Sequence, residues 1–377
     1  MAGCGAELRD TALPPADTGR NPWHFADLPA PQLVRPPVGT IELREVGRFG
    51  SEEGGDWLSN IGSLAVSDRV LVVSTPRTCE FVVFSRDRRT ALSRFGRCGE
   101  GPDEFDAPAA IALHGDTLIA TDRRGTRIRW LSLTGRTIRE HRIDPPLAPS
   151  AERWTFVQPL GDSALVLAAA LDAHDRRGGR IKPRDSAGHY LRVWIPGHDT
   201  AQVTLFRDGP GVVAENYGYE RTTDLCVGRF SSGTLHLTAW NDWTDQTVSL
   251  DLPMLATGRV RAIQNVSMGL AERTPQLDDQ KPSRTAPNGL INVACGTPYA
   301  VSNHRWWKPG SNHQGPPTDG RLTVYDHRGP VAMLNSDQRT PVLMTRLWGA
   351  HGDSFFFGSS VDFEYPMIVE MKLRRIP

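Results

Sequence analysis

The sequence predicts an all-β chain built from repeated four-stranded units, and three observations carry that prediction. The chain holds 36 glycines and 29 prolines in 377 residues, above the ~12% these two types usually contribute together, which calls for many turns between short strands. Arg48-Phe49-Gly50 returns as Arg94-Phe95-Gly96, and self-similarity at a period of about 47 residues marks a repeat architecture. A short polar turn between two apolar strands then recurs down the rest of the chain. Four short strands per unit, joined by hairpin-length turns, are the signature of a blade, and six such units predict a six-bladed β-propeller.

The elements follow in order. Residues 1–39 are proline-rich and carry no strand pattern, so they read as a tether, with residues 40–377 as the propeller. Ile41-Glu42-Leu43-Arg44-Glu45-Val46 is an early strand ahead of the first unit. The first unit runs through Ile61 to Val66, the turn Ser67-Asp68-Arg69, Val70 to Val73 and Phe81 to Phe84. The second repeats this as Ala109 to Leu113, His114-Gly115-Asp116, Thr117 to Ala120 and Ile128 to Leu131. The turn reappears at Gly161-Asp162-Ser163, Ser232-Gly233-Thr234, Gly296-Thr297-Pro298 and Gly352-Asp353-Ser354, which completes the six. The last unit has only three strands, ending on Met367 to Leu373. The early strand is expected to supply the fourth and close the ring, removing the sheet edges an open ring would expose.

Charge and cysteine usage bound the setting. Basic and acidic residues balance at 43 each, so the chain lacks the electrostatic footprint of a nucleic-acid binder. Its longest apolar stretch, Ala164 to Leu171, is too short to span a bilayer. Ala2-Gly3-Cys4-Gly5 resembles the end of a bacterial lipoprotein signal peptide, where a cysteine behind small residues receives lipid. That resemblance implies lipidation of Cys4 and an envelope location, in the periplasm or at the outer membrane, with the membrane reached only through the anchor. A true start at Met1 would leave the chain cytoplasmic. Cys79 and Cys98 lie in loop contexts where they can bridge, whereas Cys226 and Cys295 lie in apolar strands and are expected as buried free thiols. No Cys/His spacing suggests zinc, and neither a metal nor a cofactor is expected.

The segment from Phe95-Gly96-Arg97-Cys98-Gly99-Glu100-Gly101-Pro102-Asp103-Glu104-Phe105 through Pro108, Ile111-Ala112, Thr121-Asp122 and Arg127-Ile128 resembles an NHL-type repeat. The chain is similar in particular to six-bladed propeller proteins of bacterial envelopes, many of them lipoproteins. The match is best over residues 94–143 and decayed in the first unit, where Ser74 stands in the place of an aspartate. It implies a fold and an envelope setting and transfers no catalytic residue.

Function is expected where the loops are long. In a propeller, the links between blades and the loops between second and third strands emerge on one face. Asp172 to His189, Arg207 to Asp224, Val266 to Gly289 and Ser302 to Gly320 all fall in such slots, within the third to fifth units. Loops on a rigid scaffold are where binding residues concentrate, although lineage-specific decoration is the plainer reading. Tyr217, Tyr219, Trp240, Trp243, Trp306 and Trp307 supply aromatic faces there, beside Arg221, His304 and Arg305. The ligand-binding set expected is Tyr217, Tyr219, Arg221, Trp243, His304, Arg305, Trp306 and Trp307, a chemistry that suits a protein, peptide or carbohydrate. The alternative is a metal-dependent hydrolase or lyase resembling the gluconolactonase or peptide-amidating lyase propellers. Such a site needs carboxylates converging from the inner strands. Those strands offer Gln158, Arg229, Asn292 and Arg346, with Glu104 and Asp224 just outside them. A non-catalytic, monomeric binding propeller is therefore the expected function.

Overall fold

The glycines that end the recurring triplets, Gly50 and Gly96, adopt φ of +99° and +97°. A residue without a Cβ enters that region at no steric cost. Each turns the chain out of an outermost strand into the link to the next blade, so the triplet recurs because the turn does.

The computed structural model describes residues 32–35, 39–52, 54–101, 103–106, 108–122, 127–142, 153–160, 164–170, 189–193, 201–206, 223–241, 246–256, 259–268, 289–306, 319–335, 345–359 and 365–376. Strands β1 (Gln32–Leu33) and β2 (Thr40–Phe49) precede the repeats. Repeat one holds β3 (Ser63–Val66), β4 (Val70–Thr75), β5 (Glu80–Ser85) and β6 (Ala91–Phe95). Repeat two holds β7 (Ile111–His114), β8 (Thr117–Thr121), β9 (Arg127–Ser132) and β10 (Thr137–Arg142). Repeat three holds β11 (Arg153–Leu160), β12 (Ala164–Ala170), β13 (His189–Val193) and β14 (Ala201–Phe206). Repeat four holds β15 (Thr223–Arg229), β16 (Leu235–Asn241), β17 (Gln246–Asp251), a short helix α1 (Leu252–Ala256) and β18 (Ala262–Ser267). Repeat five holds β19 (Gly289–Cys295), β20 (Ala300–Trp306), β21 (Asp319–Asp326) and β22 (Gly329–Asn335). Repeat six ends the chain with β23 (Arg346–His351), β24 (Ser354–Ser359) and β25 (Met367–Ile376).

The fold is a β-propeller with five four-stranded blades rather than the six expected. Repeats one, two, four and five each form an antiparallel sheet in chain order, and the fifth blade has the order β2-β25-β24-β23. Repeat three is divided into two two-stranded sheets, β11–β12 and β13–β14. Its β12 pairs with β11 along its whole length, from Ala164 opposite Leu160 to Ala170 opposite Arg153. The innermost strands touch in the order β3, β7, β11, β15, β19, β23, and β23 touches β3. In repeat six the inner strand lies further along than the expected Val342 to Leu347, and a register shift between Leu347 and Gly349 adds Trp348.

Neighbouring blades bury apolar side chains against each other. Ala65, Val72, Phe81 and Val83 of repeat one meet Ile111, Leu118, Ala120 and Leu131 of repeat two. Phe49, Phe356 and Ile368 meet Leu58, Leu71, Val73 and Phe84. Ala294, Val301, Leu322 and Val324 of repeat five meet Leu347, Phe355, Phe357 and Val369 of repeat six. Arg86 adds a tie across one seam, with Nη2 2.6 Å from Glu370 Oε1.

The motif resembling an NHL repeat is scaffolding. Buried Arg129 pairs with Glu140 at 2.7 Å, donates to the carbonyls of Glu104 and Gly101, and covers the Phe105 ring at 4.8 Å. Repeat one does the same with the charges exchanged between strands. There Arg94 of β6 pairs with Glu80 of β5, donates to the carbonyls of Gly55 and Trp57, and covers Trp57. In both, one arginine pins the inter-blade link to its own blade.

Two further expectations need correction. The stretch 1–39 is not strandless, because Gln32 and Leu33 lie parallel to Val266 and Ser267 on the outer edge of β18. Cys226 and Cys295 are not free thiols but form a disulfide between β15 and β19, which are adjacent inner strands. A second disulfide joins Cys79 to Cys98.

Candidate functional site

Strand β20 decides how the expected residues are placed. Side chains alternate across a strand, so Val301, Asn303 and Arg305 face repeat six, while Ala300, Ser302 and His304 face repeat four. His304 and Arg305 are therefore parted by the blade itself and do not form one patch. Trp306 ends β20. Tyr217, Tyr219, Arg221, Trp243, Trp307 and Cys4 lie outside the described residues, as do the long segments 171–188, 207–222, 269–288 and 307–318. Their flanking strands are β12/β13, β14/β15, β18/β19 and β20/β21, all at one end of the blades. Trp240, expected on a loop, belongs to β16 and is 2% exposed. It is a packing residue.

On the repeat-six side, a polar network spans the seam. Arg305, 7% exposed, donates from Nη2 to Asn292 Oδ1 at 2.7 Å. Asn292 and Asn303 are directly opposed on β19 and β20, and Asn303 Nδ2 donates to the Thr345 carbonyl at 2.9 Å. Next in the chain, the Arg346 guanidinium lies 3.8 Å from the centroid of the Trp348 ring. Trp348 in turn donates from Nε1 to the Gly358 carbonyl at 3.0 Å, which fixes the indole against β24. Bulges re-aim side chains, and here the bulge at Leu347/Gly349 leaves both Arg346 and Trp348 half-buried at the inner end of the seam.

On the repeat-four side, His304 lies 5.8 Å from Trp240, ring to ring, and its Nδ1 is 3.4 Å from Arg321 Nη2. Burial pushes the His304 imidazole down to about 3, and the charges of Arg321 and Arg305 add to the effect. It stays neutral at physiological pH. Among the described residues no group of three or more His, Cys, Asp or Glu converges to hold a metal. Glu104 and Asp122 are engaged in the scaffold, Glu104 with Arg97 and the Gly101 amide, Asp122 with Arg127. The arrangement places the half-buried Arg346 on an indole face, a pairing able to meet acceptor groups and rings, with the Asn292 and Asn303 amides buried in the seam.

Sequence reasoning flagged Arg346 and Asn292 as inner-strand residues but missed Asn303, Thr345 and Trp348. A tryptophan followed by glycine inside an otherwise alternating strand was the available signal for the bulge.

This geometry defines the chain as a β-propeller with a polar, aromatic-edged end. No family model and no curated protein matches it. Among solved structures it is similar to a member of the DUF4221 family from Bacteroides vulgatus, with a TM-score of 0.57 at 10% identity over 89% of this chain and 99% of that one. It is also similar to a protein described as exported from Bacteroides fragilis, with a TM-score of 0.51 at 10% identity over 92% of this chain and 99% of that one. A gluconolactonase from Xanthomonas campestris reaches a TM-score of 0.45 at 11% identity, covering 93% of this chain and 99% of that one. At such identities the likeness is one of fold.

Proposed function

We propose that this chain is a non-catalytic binding propeller of the bacterial cell envelope. In this reading the two hairpins of repeat three stand in the place of one blade, β2 closes a ring of six, and the repeats descend from an NHL-type unit. The ligand, a peptide, protein or carbohydrate, meets the end of the blades that carries the long segments of repeats three to five, with Tyr217, Tyr219, Arg221, Trp243, Trp306 and Trp307 supplied by those segments. The observation that carries it is the Arg346–Trp348 pair beside the Arg305–Asn292 hydrogen bond, donors and a ring face without convergent carboxylates among the described residues. Two disulfides favour an oxidising compartment, and a protein of similar fold is described as exported. Residues 1–31 would then serve as a tether from a lipidated Cys4.

The test is a screen of peptide and glycan arrays with the full chain, repeated with a chelator and with Trp348→Ala. Binding that survives chelation and falls at least tenfold in Trp348→Ala, with the melting temperature little changed, supports the reading. Chelator-sensitive turnover of a lactone or peptide substrate would contradict it in favour of the hydrolase or lyase alternative.

A further inference from the structure

The seam between repeats four and five differs from the other described seams in chemistry. Cross-strand partners share a face, so the pairings Cys226–Thr238–Ser249–Gln264 and Trp240–Thr247 put these residues on the face that repeat four presents. Repeat five answers with the face that carries Cys295, Ala300 and Tyr325, with Ser302 and Thr323 one row further along. The seams formed by repeats one, two, five and six each hold an apolar cluster, as this one does in Phe230, Trp240, Val293, Ala300 and Tyr325 beside the two cysteines. This one adds a row of hydroxyls and an amide in Thr238, Thr247, Ser249 and Gln264. Thr238 and Ser249 satisfy each other at 2.7 Å. Trp240 Nε1, Thr247 Oγ1 and both polar atoms of the Gln264 amide are buried with no hydrogen-bond partner. A buried polar group left unsatisfied is a standing penalty that water relieves on exposure. Closing this seam therefore carries a penalty that solvent relieves when it opens.

The same seam is fastened at both radial ends. At the inner end Cys226 is joined to Cys295. At the rim, β1 pairs with β18 of repeat four, and Val34 N–H donates to the Ser267 carbonyl at 2.8 Å. A few residues later Met333 N–H of repeat five donates to the Gly39 carbonyl at 3.2 Å. The chain thus contacts repeat four through residues 32–34 and repeat five through Gly39 before β2 joins repeat six.

We infer that the seam between repeats four and five is a redox-controlled joint, kept shut by the Cys226–Cys295 disulfide inside and the N-terminal strap outside, and released by a dithiol reductant. A thiolate of the dithiol attacks one sulfur to give a mixed disulfide, and its second thiolate displaces the protein thiol. Cys226 and Cys295 end as thiols carrying the two protons, and the dithiol ends as a cyclic disulfide. Both cysteines are under a tenth exposed, so attack follows breathing of the seam, and the strap sets how often that occurs. Opening parts Trp240 of repeat four from His304 of repeat five and exposes the unpartnered polar atoms of this seam to solvent.

Hydrogen exchange on the full chain tests this. Replacing both Cys226 and Cys295 by serine should raise exchange at least tenfold in β16, β17, β20 and β21, while Val72, Val83, Phe356 and Ile368 keep their protection. The Cys79→Ser/Cys98→Ser double variant should leave β16 to β21 unchanged, and Val34→Pro should speed reduction of Cys226–Cys295 by dithiothreitol at least threefold. If the serine pair at 226 and 295 does not fold, the Cys79→Ser/Cys98→Ser protein is reduced after folding, alkylated at Cys226 and Cys295, and exchanged in its place. Protection lost equally in all blades, or kept in repeats four and five, overturns the inference.

Discussion

Burial pushes the imidazole of His236 down to about 4, against a backbone hydrogen bond with Thr234 that acts the other way. Its ring is stacked on Phe230 with centroids 3.5 Å apart. The charged group on its opposed residue is Asp251, which is already near Arg261, and His327 lies beyond Phe230. His304 on the other side of the seam is held at about 3 by burial, Arg321 and Arg305. Both folded values lie below the ~6.5 of an unfolded histidine. The unfolded chain therefore takes up protons first as the pH falls, and stability present above about 6.5 is lost towards 4 and 3, by at most ~1.4 kcal/mol per pH unit for each group. Melting temperature should fall between pH 7 and pH 4.5, and His236→Gln should flatten part of that slope. Parallel curves for the two proteins would remove His236 from the account.

At the scale of elements, the two arginine staples make an internal comparison. Arg129 is 2% exposed; its removal leaves two loop carbonyls without their arginine donor, while Glu140 keeps Arg142. Taking a buried donor away from two carbonyls costs ~1–3 kcal/mol, so Arg129→Met should lower the urea midpoint. Arg94 and Glu80 are each about a quarter exposed, so Arg94→Met should cost no more than ~1 kcal/mol. Equal losses would mean that the loop contacts, and not burial of the charge, set the energy. These elements also show what was legible. The triplets at Gly50 and Gly96 were visible because a backbone turn demands glycine, and the short first turns because polar residues must bound each hairpin. The Cys226–Cys295 bond was not visible, since its partners lie 69 residues apart on different blades and only the packing of inner strands brings them together. β1 was missed because two exposed residues, Gln32 and Leu33, carry no pattern. The divided repeat three was missed because the turn rhythm continues unbroken through it.

The candidate site was less legible than the fold for a reason tied to β20. Consecutive residues His304 and Arg305 look like one patch in sequence, yet period-two alternation sends them into different seams. What the whole molecule adds is the long-range partner, such as Thr345 for Asn303 or Glu370 for Arg86. The same holds for the ends of the chain. β2 runs antiparallel to β25 from Thr40 opposite Ile376 to Phe49 opposite Ile368, and it buries Ile41 and Phe49 at 2% and 0% exposure. If that pairing closes a ring, residues 40–376 unfold as one cooperative unit whose two ends depend on each other. Urea unfolding of the full chain against versions lacking residues 1–31 and residues 1–47 tests this most directly. The account predicts that the shorter deletion unfolds at the midpoint of the full chain, and that the longer one, having lost β2 with its Ile41, loses several kcal/mol or its cooperative transition altogether. Coincident midpoints for all three proteins would contradict it.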